Sequence, residues 1–194
     1  MAGQNIAALG FRAHTGWAAA VAVTPNWEVI ERRRIAYEPE TTRFIYHHAA
    51  EIGPDEAEAL IAAAHAQAVA KAELEIGSLV SALSGKGMAV AAACVPGGRA
   101  RLPNSLREIL AVHARIHAAE GAFYRDALVE ACAPLGLNVT RAPERDLWTI
   151  VAGVHRCNES ALRSRMAQLG KQLGPPWGED QKLATLAALV ALDP

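Results

Sequence analysis

The sequence predicts an α/β domain: a mixed five-stranded sheet, started by a three-strand antiparallel meander, completed by parallel strands and covered by helices on both faces. Three observations carry this reading. Residues 6–23 and 27–37 read as three short strands in succession, separated only by Thr15-Gly16 and by Thr24-Pro25-Asn26. Residues 88–95 form a continuous apolar run bounded by glycine and proline, the pattern of a fully buried, parallel-type strand. The long alanine-rich stretches around that run keep a helical apolar period.

Each element follows from local chemistry. The first strand, the tight turn at Thr15-Gly16 and the second strand from Trp17 to Val23 make a hairpin. Residues 38–53 carry no period and read as irregular, with Arg43, Tyr46, His47 and His48 clustered there. Pro54-Asp55-Glu56 opens a helix, because proline fits a first turn and acids favour its positive end. Leu60, Ala64, Val69, Leu74, Leu79 and Leu83 supply an apolar stripe that ends at Ser84-Gly85-Lys86-Gly87. After the fourth strand, residues 96–101 make a basic, glycine-containing loop. Asn104 or Ser105, with Glu108 near capping-box spacing, starts a helix running to about Pro134. Residues 138–141 are the fifth strand and 143–151 a brief helix. Asn158 or Ser160 begins another helix, Pro175-Pro176 interrupts it, and a last helix spans about 178–192. With no repeat or linker, residues 1–194 read as one domain.

With 52% hydrophobic residues, the 194-residue chain has material for one sizeable core. Its 19 basic and 20 acidic side chains give a charge of −1, which excludes a surface built for indiscriminate nucleic-acid binding but allows a local basic patch. No run reaches about 18 uninterrupted apolar residues, so no membrane-spanning helix is expected. The N-terminus lacks a basic region followed by an apolar core and cleavage site, so the expected location is cytoplasmic. Cys94, Cys132 and Cys157 contain no CxxC pair and read as reduced thiols, the first two buried and the third in a loop. The alanine-rich helix at 54–83 offers a stripe that a second copy could cover, so a homodimer is an expectation.

The element order is also the layout of ribonuclease H-like domains. HAAEGAFYRDALVEACAPLGL (117–137), VTRAPERDLWTIVAG (139–153) and residues 165–192, which end PPWGEDQKLATLAALVAL, resemble segments of the RuvC-type Holliday-junction resolvases. LGFRAHTGWAAAVAV (9–23) resembles that family's opening hairpin. The similarity spans most of the chain and lies in apolar pattern and turn placement. It implies a ribonuclease H-like fold. The family's first-strand aspartate falls near Arg12, its fourth-strand glutamate within 91–93, and its two final-helix acids at Asp180 and Leu183. Only Asp180, with Glu179 beside it, is acidic. Two-metal cleavage needs several carboxylates around ions roughly 4 Å apart. The resemblance therefore implies a degenerate nuclease centre and a noncatalytic role, binding a nucleic acid or a protein partner. Two alternatives stay open: a divergent metal-dependent nuclease or hydrolase with a non-standard site, and an actin-like phosphotransferase fragment. Against the latter, the chain is short and its first hairpin lacks the acid those proteins carry.

Candidate site residues follow from position and spacing. Arg12 and His14 sit at the tip of the first strand, where ribonuclease H-like domains place their chemistry. Facing Glu179 and Asp180, Arg12 either replaces a metal through a charge-assisted pair or contacts an anion. The plainer reading is a surface arginine and a turn histidine. His113, His117 and Glu120 fall at i, i+4 and i+7 on one helical face, where two imidazoles and a carboxylate can share a divalent metal. A polar face, or histidines packed beside Phe123 and Tyr124, is the plainer reading, and no HExxH motif is present. His47 and His48, with Arg43 and Tyr46, are candidates for a ligand-covering loop or for loop anchors. Arg99 and Arg101 are candidate phosphate contacts in a loop without Walker spacing. Trp177, just ahead of Asp180, either stacks on a ligand or closes the end of the core. Arg141, Glu144, Arg145 and Asp146 read as surface ion pairs. A divalent metal is the only cofactor these patterns raise.

Overall fold

The computed structural model describes residues 5–37, 43–98 and 101–192. Strands β1 (Asn5–His14), β2 (Trp17–Val23), β3 (Val29–Ala36), β4 (Met88–Cys94) and β5 (Asn138–Thr140) form one sheet in the order β3-β2-β1-β4-β5. β1 pairs antiparallel with β2, and β2 with β3; β4 runs parallel to both β1 and β5. This is the mixed sheet expected from the sequence. Gly16 closes the first hairpin at φ +84°, a conformation that side chains disfavour, so that His14 faces Trp17 across the turn.

Helices α1 (Ile45–Ile52), α2 (Pro54–Gly85), α3 (Leu106–Leu110) and α4 (His113–Cys132) form one layer. Helices α5 (Leu147–Val154), α6 (Glu159–Leu173) and α7 (Glu179–Leu192) form the other. The alternation of β1 divides the core between them. Leu9 and Phe11 meet Ile76, Leu79, Leu83, Tyr124 and Leu128 of α2 and α4. Ala8 faces the opposite core, with Leu147, Met166, Leu186 and Leu189. Burial of side chains this size contributes about 1.5–3 kcal/mol each relative to exposure. Gly10, next on that second face, lets the α7 backbone rest on the strand. A Cβ there would overlap the Ala184 carbonyl oxygen and the Ala188 amide.

Several local expectations are corrected. Residues 45–52, expected to be irregular, form α1, which buries Ile45 and Ala49. Its N-cap, Phe44, offers no side-chain bond; Glu120 of α4 instead accepts from the Tyr46 and His47 amides, a tertiary cap with no local signature. The expected single helix to Pro134 is two, because Val112 is extended and β-branched between α3 and α4. Ser105 does cap α3, through the Glu108 amide. The brief helix after β5 is a 3-10 turn at Glu144–Asp146 leading into α5, which continues to Val154. Trp27 precedes β3 instead of opening it, at φ +69°.

The stripe of α2 also differs. Its buried line runs through Ala57, Ala64, Ala68, Ala72, Ile76, Leu79 and Leu83, while Leu74 is 67% exposed. Steps of five residues advance about 140° beyond a full turn, so a line through Ala64, Val69 and Leu74 leaves the core. β4 was expected to be wholly buried, yet only Ala93 and Cys94 are. β5 pairs only with Ala92, Ala93 and Cys94, leaving the first half of β4 at the sheet edge. Burial pushes the Cys94 and Cys132 thiols up to about 12, and Cys157 is half-buried. Among the described residues no helix is long and apolar enough to cross a membrane.

Candidate functional site

Gly10, Arg12 and His14 share one face of β1 because side chains alternate along a strand. Asp180, Ala184 and Ala188 share one stripe of α7, four residues apart. The Gly10 contact brings the stripe onto the strand face, and Asp180 arrives at Arg12 and His14. Arg12 Nη1 donates to Asp180 Oδ1, and His14 Nε2 lies 2.8 Å from the same oxygen. Arg12 Nη2 donates to Glu144 Oε1 at 3.3 Å. Arg12 Nη1 also lies 3.1 Å from His14 Nε2. A guanidinium only donates, so His14 Nε2 either donates to Asp180 or accepts from Arg12, not both.

This cluster is half-buried, with 22% of the Arg12 side chain and 27% of Asp180 exposed. For Asp180, burial alone would raise the carboxyl; hydrogen bonds and charge from His14 and Arg12 outweigh it and hold the group below the usual range. For Arg12, burial opposes the charge, but Asp180 and Glu144 more than restore it. Its Nε is buried without a partner among the described residues. His14 stacks on Trp17 at 4.2 Å between centroids, and the Arg34 guanidinium lies 3.9 Å from the same ring system.

The approach to α7 is tied down from two sides. Arg32 of β3 donates to the carbonyls of Leu173, the last residue of α6, and of Gly174 and Pro176 just beyond it. Trp177 donates its indole N–H to Met166 O at 2.9 Å and lies over Gly170, where a Cβ would overlap the ring. The structure thus uses Trp177 to close the α6–α7 corner. Glu179 is exposed and 3.9 Å from Lys182, outside the Arg12 cluster.

Glu179 and Glu144 instead border a cavity of about 510 Å³ with Gly97, Gly98, Arg125 and Trp148. Arg125 has no hydrogen bond or ion pair among the described residues, and burial weakens its hold on the proton. Arg101 is exposed beyond this loop, and Arg99 lies outside the described residues.

The histidines assemble elsewhere, in the α1–α4 layer. His113 and His117 project together from α4, with Nε2 atoms 3.0 Å apart. Glu120 is not the third member of their group. Its carboxylate is turned to the start of α1, accepting from the Tyr46 amide at 2.7 Å, and His47 of α1 takes the third place. His48 faces Glu51 at 3.5 Å and is half-exposed. Sequence reasoning therefore missed two participants. By sequence alone Glu144 reads as a surface ion pair, although its place after a strand on the same sheet as Arg12 is a usable signal. His47 could be paired with α4 only through tertiary structure.

Among solved structures, the chain is similar to Thermus thermophilus RuvC in complex with a Holliday junction substrate. That match has a TM-score of 0.52 at 11% identity and covers 95% of this chain and 90% of that one. The fold is ribonuclease H-like. A second Thermus thermophilus RuvC structure matches with a TM-score of 0.47 at 12% identity, covering 94% and 91%. No protein-family model and no curated protein sequence matches the chain. At such identity the RuvC likeness describes the fold; the chemistry has to come from this chain's own side chains. Of the positions the resemblance marks for acids, Arg12 and Asp180 meet, whereas Leu183 is a buried leucine and residues 91–93 are alanines, of which only Ala93 is buried.

Proposed function

We propose that this chain is a ribonuclease H-like protein in which an internal ion-pair cluster replaces the metal centre, and that it binds nucleic acid without cutting it. The observation that carries this reading is the contact of Arg12 with Asp180, reinforced by Glu144 and His14. A guanidinium between two carboxylates offsets much of the charge, and occupies the oxygens, that would otherwise attract divalent cations. Two-metal phosphodiester cleavage requires those carboxylates to be free to clamp ions.

Nucleic-acid binding is supported by the Holliday junction in the RuvC complex and by basic side chains beside the cluster. Arg125 and Arg145 border the cavity, and Arg141 flanks a neighbouring depression with Gly97 and Gly98. A backbone phosphate there would supply the direct hydrogen-bond acceptor that the Arg125 guanidinium lacks among the described residues. The balanced overall charge fits a local contact better than a wrapped one. The buried thiols fit a reducing cytoplasm.

The test pairs binding with cleavage. Purified protein is mixed with four-way and single-stranded DNA in manganese or magnesium. Salt-sensitive binding that weakens in Arg125→Ala, with no strand cut, is the expected result. Metal-dependent cleavage by wild type that disappears in Asp180→Asn would overturn the inactive reading.

A further inference from the structure

His47, His113 and His117 present ligand atoms that all lie within 4.8 Å of one another. The rings stand nearly edge to face, at 81° for His47 and His113, 66° for His47 and His117 and 82° for His113 and His117. We propose that these three imidazoles form a binding site for a zinc-class transition ion, with Glu120 behind His47 as the orienting carboxylate.

The distances suit shared coordination. Two nitrogens bound to one tetrahedral zinc stand about 3.3 Å apart, and the His113 and His117 Nε2 atoms are separated by 3.0 Å. A hydrogen bond between two neutral rings would explain that pair alone. It would not explain why a third imidazole converges on it from a different helix. Nor would it explain the carboxylate behind that ring.

Glu120 Oε1 lies 3.3 Å from His47 Nδ1. A proton held on Nδ1 leaves the lone pair on Nε2, the ligand-competent tautomer. The Glu120 side chain is only 3% exposed, yet its Oε2 has no partner among the described residues. A cation at the histidines would compensate this buried negative charge, which the surrounding amides satisfy on one oxygen only.

Three neutral nitrogen donors define the ligand class. They favour zinc, copper, nickel or cobalt over magnesium and calcium, which take oxygen ligands. His113 and His117 are exposed, so a fourth position faces water. The site lies between α1 and α4, in the layer opposite α7, and is independent of the Arg12 cluster. A bound ion would clamp the short α1 to the first turns of α4.

The experiment uses the full chain without a histidine tag, stripped with a chelator that is then removed. It is titrated with zinc by calorimetry and with cobalt by visible absorption. One ion per chain, at micromolar affinity or tighter, with the intense cobalt bands of a four-coordinate site, is expected. His47→Ala and His113→Gln/His117→Gln should each abolish stoichiometric binding. Glu120→Gln should weaken it about 10–100-fold at unchanged stoichiometry. His48→Ala should bind like wild type. The exposed His113/His117 pair can change without disturbing the core, so that double variant keeps the test decisive if His47→Ala misfolds. Absence of stoichiometric binding by wild type, or full binding by the double variant, would overturn the proposal.

Discussion

Gly10 of β1 lies directly against the Ala184 carbonyl of α7, and this contact places Asp180 one helical turn away beside Arg12. Adding a methyl group at Gly10 forces the helix off the strand. Gly10→Ala is expected to cost about 1–3 kcal/mol, the usual range for overpacking. Urea denaturation should show a lower midpoint at unchanged slope.

Replacing Arg12 with an acid removes the internal cation and adds a third carboxylate to Asp180 and Glu144. Arg12→Asp is therefore expected to bind manganese where wild type does not, read as loss of the free-ion electron paramagnetic resonance signal. Arg12→Ala should bind more weakly than Arg12→Asp. Equal manganese binding by wild type would contradict the blocked centre.

The ion pair also has a pH signature. Asp180 is held below its ordinary value of 3.8 in the folded state, so the unfolded chain binds more protons in the interval between the two values. The stabilisation is present above the ordinary value and is lost as pH falls through the depressed one. Asp180→Asn should cost about 1 kcal/mol at neutral pH, a modest sum because part of the cluster touches water. On acidification below about pH 4, wild type should lose this advantage and the two stability curves converge.

Arg32 holds three carbonyls between the end of α6 and the start of α7. Arg32→Ala is expected to destabilise the protein by about 1–2 kcal/mol and to loosen that corner first. Amide exchange should rise at 177–182 before it rises in β1. A uniform rise would mean that Arg32 supports global stability and not this joint.

The elements legible in the sequence are those whose causes are local. The Thr15-Gly16 hairpin, the proline start of α2, the Asn158 cap of α6 and the apolar final helix each carry their own signal. Arg12, His14 and Asp180 were legible as a set through the RuvC resemblance, because a strand tip and a helix start can be aligned without contacts. Two kinds of information were hidden. Alanine carries little hydrophobic weight, so the line from Ala57 to Ala72 that packs α2 was obscured by larger residues such as Leu74. The partnership of Glu120 with α1, and of His47 with α4, joins residues far apart in the chain, and no periodicity records it.

Glu120 has one more consequence, for the order in which the molecule takes shape. α1 is only eight residues long, and a helix of that length is marginal in water without support at its ends. The acceptor for its first amides belongs to α4, which is made much later in the chain. During synthesis, residues 45–52 can therefore be exposed long before the group that secures them exists. The neighbouring α2 can support α1 early, but its first amides gain their acceptor only when α1 and α4 meet. The same meeting brings His47 to its partners, so the three-histidine group belongs to the finished protein and to no earlier stage.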